Sequence, residues 1–172
     1  MTDEWLSVST PYLTPRGDPW AAEAARHGAV GKQRLVEVAE LPAESDIAAA
    51  LEIPCGAPVV VRRRVMLLGE RPVELTDSHY PASLARGTGL AEPRRIRGGA
   101  VTLLAELGYR VEQVVEDVSA HNPTDEERER LDLRGGPVLQ LVRRSLCAGK
   151  VFEVSVMRMT AVGRRLRYQL SV

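Results

Sequence analysis

Cysteine is scarce in this chain: Cys55 and Cys147 are the only two, and neither sits in a Cys-x-x-Cys or Cys/His spacing. Count and spacing exclude a disulfide framework and a zinc site of the usual kind. Both are expected to be small buried apolar side chains. Aromatics are few, with one Phe, two Trp and four Tyr. No apolar run approaches membrane-spanning length and no N-terminal stretch has the pattern of a signal peptide, so a cytoplasmic location and no membrane partner are expected. An excess of one charge is also missing, with Lys+Arg and Asp+Glu both at 23. A free-standing nucleic-acid binder usually carries a basic face, and this balance argues against one. No Ser-His-Asp pattern, phosphate loop or metal-ligand spacing occurs, so no catalytic residue, metal or cofactor is assigned.

What is present is one domain of ordinary size, 172 residues with 44% hydrophobic and 27% charged side chains. Residues 1–30 hold Pro11, Pro15, Gly17 and Pro19 and read as an extended arm or linker. Trp5, Tyr12 and Trp20 are its apolar anchors, "AAEAARHG" a short helix, and His27 a surface residue. Residues 31–172 form the body. "QRLVEVAEL" reads as a strand and "ESDIAAAL" as a helix with Ser45 as a candidate N-cap. "GAPVVVRRRVMLLGERPVELTDSHYP" is a hairpin turning near Gly69-Glu70. Residues 82–97 are mostly loop. "GGAVTLLAELG" is a helix ending at Gly108, and "RVEQVVEDVSAH" a strand. "TDEERERL" is a helix with a capping box, Thr124 and Glu127. "GPVLQLVRRSLCAGKVFEVSVMRM" is a second hairpin and "RLRYQLSV" a closing strand. The class is α+β, an antiparallel sheet with helices packed on one side.

The two hairpins are copies. The shift that carries Pro58 onto Pro137 also carries Val60 to Leu139, Arg64 to Arg143, Leu67 to Leu146, Glu74 to Glu153 and Thr76 to Ser155. Upstream, "IAAALEIPCGAPV" matches "ERERLDLRGGPV" after one deletion. Internal similarity at long spacing marks a duplicated supersecondary unit, whose halves would pair about a pseudo-twofold axis.

Alternation places Arg62, Arg64 and Met66 on one side of their strand. Glu74, Thr76, Ser78 and Tyr80 share a side of the next strand, and Glu153, Ser155 and Met157 do so in the second copy. Unpaired buried charges are costly, so such a face is not a dry core. It is either solvated or the floor of a polar pocket. "RRIR" (94–97) and "RRLR" (164–167) read as solvated charges, and His79 and His121 as exposed residues near strand ends.

The ordered set "PVVVRRRVMLLGERPVELTDSHYP", "GGAVTLLAELG", "GGPVLQLVRRSLCAGKVFEVSVMRM" and "RLRYQLSV" resembles the UTRA domain, the effector-sensing half of GntR regulators of the HutC type. The resemblance covers roughly residues 30–172. It implies a chorismate-lyase-like fold, a pocket between the hairpin halves, a homodimer, and a small polar or anionic effector. It places Arg64 where the family keeps a ligand-contacting Arg, and Glu153 on the family's acidic position. Met66, Thr76, Gly99 and Leu166 stand where many members have Arg, Glu, Ser and Tyr, so the effector is expected to differ from the amino-sugar phosphate of many relatives.

The candidate ligand-binding residues are Arg64, Glu74, Thr76, Ser78, Gly98, Gly99, Ala100, Arg143, Glu153 and Ser155. An Arg offers fixed donors to a carboxylate or phosphate, and "RGGA" offers a helix N-terminus that glycine lets a ligand approach. Glu74 and Glu153 are acceptors for ligand hydroxyls or amines, or partners of Arg64 and Arg143 within the sheet. Nothing in residues 1–30 reads as a recognition helix, so DNA contact is expected only through a winged-helix domain absent from this chain. Two other readings are a stand-alone lyase, cyclase or isomerase with Glu74 or Glu153 as acid or base, and a structural partner that forms mixed dimers with a full regulator.

Overall fold

The structure, a computed structural model, describes residues 5–13 and 18–169. Pro15 and Gly17 of the arm and the end of the closing strand, 170–172, lie outside the described residues. In chain order the elements are β1 (Trp5–Val8), a 3-10 turn (Thr10–Tyr12), α1 (Pro19–Arg26), β2 (Gly31–Pro42), α2 (Ser45–Leu51), β3 (Pro58–Leu68), β4 (Arg71–Pro81), α3 (Ala82–Ala85), α4 (Ala100–Glu106), β5 (Gln113–His121), α5 (Asp125–Arg130), β6 (Val138–Cys147), β7 (Lys150–Thr160) and β8 (Arg164–Arg167).

β2 to β7 form one antiparallel sheet in the order β2-β3-β4-β7-β6-β5. The hairpins β3-β4 and β6-β7 meet through β4 and β7, with Asp77 opposite Val156 at the midpoint. The duplication extends to detail. Each hairpin carries one register shift, after Met66 in the first and after Ser145 in the second, and these are equivalent positions. Each preceding helix is followed by a left-handed residue, Glu52 (φ 58°) and Asp132 (φ 49°). A β-bulge is a feature that a duplicated sequence carries with it.

Local chemistry accounts for the elements. Val59, Val60 and Val61 are β-branched and fit a pleated strand covered on both faces. Thr124 Oγ1 accepts the Glu127 amide at 3.2 Å and Glu127 Oε2 accepts the Thr124 amide at 2.9 Å, closing the expected box on α5. Ser45 is not an N-cap: that position falls on Glu44, whose side chain makes no cap bond, and Ser45 is the first helical residue.

The helices divide between the two faces instead of gathering on one. Ala48 and Leu51 of α2 pack with Val59 and Val154, and Leu131 after α5 packs with Val65 and Leu75. On the opposite face Leu104 of α4 packs with Val60, Tyr80 and Phe152, and Trp20 of α1 with Met66 and Val73. Consecutive apolar residues such as Val59 and Val60 point to opposite sides, so each face needs its own cover.

The arm is bound to the body. β1 pairs in parallel with β8. α1 lies so close to β2 that a Cβ on Gly31 would meet Ala24 Cβ at 2.8 Å and the Trp20 carbonyl at 2.9 Å. Trp5 stacks on His27 with ring centroids 4.3 Å apart. Cys55 is exposed, because it sits in the turn after α2, and Cys147 is half-buried. No helix among the described residues is long and apolar enough to cross a membrane.

Candidate functional site

The register turns the α1/α4 side of the sheet into a grid. One row reads Leu35, Arg64, Thr76, Met157, Leu141 across β2, β3, β4, β7 and β6. The next reads Val38, Arg62, Ser78, Ser155, Arg143. Flanking rows hold Met66, Glu74 and Met159 on one side, and Tyr80, Glu153 and Ser145 on the other. Above this floor is a cavity of about 720 Å³. Its roof is the segment Arg95–Thr102, and its wall the arm and β8.

Of the ten candidate residues, Arg64, Glu74, Thr76, Gly98, Gly99, Ala100, Arg143, Glu153 and Ser155 line this cavity. Ser78 does not; it stands in a floor row but is fully buried by its neighbours. Its Oγ accepts a hydrogen bond from Arg64 Nη2 at 2.7 Å and lies 2.8 Å from Ser155 Oγ.

The two arginines that alternate along β3 have different fates. Arg62 is 4% exposed. Its Nη1 donates to the carbonyls of Gly89, Leu90 and Glu92 at 3.2, 2.8 and 2.9 Å, and its Nη2 to that of Arg94 at 2.7 Å. Burial holds this guanidinium below its usual range. Arg62 therefore fixes the chain that runs into the cavity roof. Arg64 forms no ion pair among the described residues, and its buried Nε meets no hydrogen-bond acceptor there. By contrast Arg143 Nε pairs with Glu116 at 2.5 Å and Arg164 Nη2 with Glu74 at 3.6 Å.

The carboxylates partner neither Arg64 nor Arg143 as alternatives had it. Glu153 accepts from Tyr80 Oη at 2.9 Å, and from Ser155 and Ser145 at 3.2 and 3.4 Å. Burial, then the Glu153 charge, pushes the Tyr80 phenol far up, so it stays a donor. Glu74 accepts from Thr76 at 2.9 Å and faces Arg164.

The roof is the segment expected to offer a helix N-terminus to an anion. α4 has only seven residues, and the Gly99 amide is taken by the Ile96 carbonyl at 3.1 Å. Gly99 holds φ 86° at the N-cap, a conformation glycine adopts without strain.

Sequence reading missed part of the wall. Arg164, expected to be solvated, has a side chain only 4% exposed. Its Nη1 donates to Ser7 Oγ at 2.8 Å. Glu23, fully buried, accepts from Trp5 Nε1 at 2.6 Å, Ser7 Oγ at 2.8 Å and Tyr12 Oη at 2.8 Å. The only local hint was the aromatic content of the arm. Arg95 and Arg97, from the other basic cluster, stand at the cavity mouth, Arg95 paired with Asp18 at 3.0 Å. His79 and His121 are half-buried instead of exposed. His121 Nε2 lies 3.1 Å from both Glu127 oxygens, and no cluster of His, Cys, Asp or Glu among the described residues could hold a metal ion.

Comparison with known proteins bears on this architecture. The UTRA domain model matches residues 26–161. An uncharacterised helix-turn-helix-type transcriptional regulator of Streptomyces coelicolor is 31% identical over 124 residues, 69% of this chain and 46% of that protein, so the chain spans a little under half of that relative. A crystal structure described as the ligand-binding domain of a GntR-family regulator from Bordetella bronchiseptica superposes with a TM-score of 0.72 at 26% identity, over 82% of this chain and 92% of that one. The effector domain of PhnF from Mycobacterium smegmatis does so with a TM-score of 0.75 at 20% identity, over 93% and 98% of the two chains, which shows a shared fold. The antiparallel sheet, its duplicated hairpins and a family match over most of the residues lead to one conclusion: this chain belongs to the UTRA domain family.

Proposed function

We propose that this chain is the effector-sensing and dimerisation domain of a GntR/HutC-type transcription regulator of the cytoplasm. DNA would be contacted only through a separate winged-helix domain. The effector is a small polar or anionic metabolite held between the two hairpin halves, and residues 1–30 are the arm leading into this domain.

One observation carries the reading. Arg64 is a partly buried guanidinium on the floor of a cavity, without a carboxylate partner among the described residues and with an idle buried Nε–H. A buried cation left unpaired is costly, and an incoming carboxylate or phosphate removes that cost. Glu74 and Glu153 have oxygens engaged by Thr76, Arg164, Tyr80 and the two serines, which favours recognition over proton transfer.

The route from cavity to arm is short. Arg164 touches Glu74 on the floor and Ser7 on β1. An effector that shifts Arg164 would shift β1, to the extent that it binds the two arm positions with different affinity.

The test is thermal-shift and calorimetric titration of the 172-residue chain with a panel of organic anions, beside Arg64→Ala. Stabilising anions whose effect disappears in the variant support the reading. Anions that stabilise both proteins equally would overturn it. Light scattering during size-exclusion chromatography tests the dimer.

A further inference from the structure

The two halves of the cavity descend from one unit, so their differences are informative. The shift that superposes the hairpins carries Arg62 to Leu141, Met66 to Ser145, Ser78 to Met157 and Tyr80 to Met159. The register places equivalent residues at opposite ends of the floor. At one end stand Tyr80, Ser145, Ser155 and Glu153, joined by hydrogen bonds. At the other, the equivalents of Tyr80, Ser145, Glu153 and Ser155 are Met159, Met66, Glu74 and Thr76: two thioethers, and a carboxylate and a hydroxyl already bonded to each other. Met157, Met159 and Leu141 form one apolar cluster with Leu166 of β8 beside it. Met66 belongs to a second cluster, with Trp20 and Tyr12 of the arm. The carboxylate at this end, Glu74, is held by Thr76 and Arg164. Arg64 lies between the two ends, its Nη2 leaning to Ser78 and its cross-strand neighbours being Leu35 and Thr76.

We propose that the effector is an amphipathic organic anion: a carboxylate or phosphate head on Arg64, and an unhydroxylated aliphatic or aromatic body laid along the methionine-rich end. This rests on the reading of Arg64 as the anion anchor. A sugar phosphate would turn most of its hydroxyls toward thioethers and methyls, where they would lose their water for little return, since Glu74 and Thr76 at this end are already bonded to each other and Glu74 faces Arg164. An apolar body instead removes area from water on both sides of the contact. Methionine is flexible and polarizable and moulds to chains and rings alike. The cavity volume of about 720 Å³ suits a ligand of this size.

The test compares ligands matched in carbon count and charge on the wild-type chain. Calorimetry is run with hexyl phosphate against glucose 6-phosphate, and with hexanoate against gluconate, and repeated on Arg64→Gln, which removes the charge and leaves a shorter polar amide. The expected result is that the apolar member of each pair binds about tenfold tighter or more, and that binding of both is lost in Arg64→Gln. Hydroxylated members binding as well as or better than their partners, with all binding lost in Arg64→Gln, would overturn this inference and leave the Arg64 anchor standing. No binding by any of the four, or binding indifferent to Arg64→Gln, would overturn the anchor and the inference together. Should Arg64→Gln fail to fold, displacement of hexyl phosphate by inorganic phosphate in the wild type reads out the head-group site, and failure to displace counts against it.

Discussion

The hydroxyls of Ser78 and Ser155 meet at 2.8 Å where β4 pairs with β7, so the two copies of the ancestral hairpin are joined side chain to side chain at the centre of the sheet. The same Ser78 oxygen receives Arg64 Nη2. Replacing Ser78 by Ala removes an acceptor from a partly buried guanidinium and a partner from Ser155. Urea denaturation is expected to show a loss of about 1–3 kcal/mol. Anion affinity should fall as well, since Arg64 loses the contact that aims it. Unchanged affinity would mean that packing alone positions Arg64.

Arg62 holds four backbone carbonyls of the 89–94 segment. Arg62→Met removes the guanidinium donor from all four, and the Glu92 carbonyl keeps the Arg94 amide at 2.8 Å. A destabilisation of about 3 kcal/mol or more is expected, because hydrogen bonds to a charged group are worth about 1.5–3 kcal/mol each and orphaned acceptors add to the loss. Hydrogen exchange should accelerate across 89–102, the roof and the segment leading into it, more than in β6 and β7. Arg62→Lys restores charge but not the planar fork, so it should recover only part of the protection.

Glu23 gathers Trp5, Ser7 and Tyr12 onto α1. Both tryptophans of the chain lie here, with ring centroids 5.5 Å apart. Tryptophan fluorescence is therefore a direct reporter of the arm. Glu23→Ala should shift the emission to the red and expose the arm to limited proteolysis, at a cost of about 2–4 kcal/mol for three lost hydrogen bonds to a buried carboxylate. An effector that engages Arg164 should change the same signal, and a ligand that binds with silent fluorescence would argue against coupling through β1.

Two buried or partly buried groups contribute to the acid side of stability. Burial, opposed by the nearby Asp77 charge, lowers the pKa of His79 in the folded protein. As pH falls below about 6.5 the unfolded chain takes up this proton first, so stability declines through that range. Burial raises the carboxyl of Glu127, but the Thr124 amide and His121 outweigh it and hold the group below its ordinary value. Its contribution is complete above about 4.5 and is lost as pH falls through the depressed value. Denaturation midpoints at pH 7.5 and 5.5 should differ in the wild type and differ less in His79→Gln.

The strands, hairpins and capping box were legible because their signals are local. Period-two alternation, a turn glycine and a Thr-x-x-Glu spacing act within a few residues. That the two hairpins pair was legible for another reason, since a repeat implies an axis and an axis a seam; that β4 and β7 form this seam was decided by the fold. The allocation of roles within "RRR" was not legible from alternation, and only the family resemblance singled out Arg64. Arg62 and Arg64 share a face, and no neighbour in sequence distinguishes them. The segment 89–94, whose carbonyls occupy the Arg62 guanidinium, lies between α3 and α4 and meets Arg62 only in the folded chain. Arg164 was misjudged because its burial depends on β8 pairing with β1 at the other end of the chain, a contact that leaves no periodicity to read.

From residue order alone came the architecture and the polar, arginine-bearing face, since both follow from which side of a strand a residue occupies and from duplication. Folding in three dimensions decided which of those polar groups satisfy one another and which stay free to meet a ligand. That choice depends on distances of a few ångströms between segments far apart in the chain, where a hydrogen bond is either made or missed.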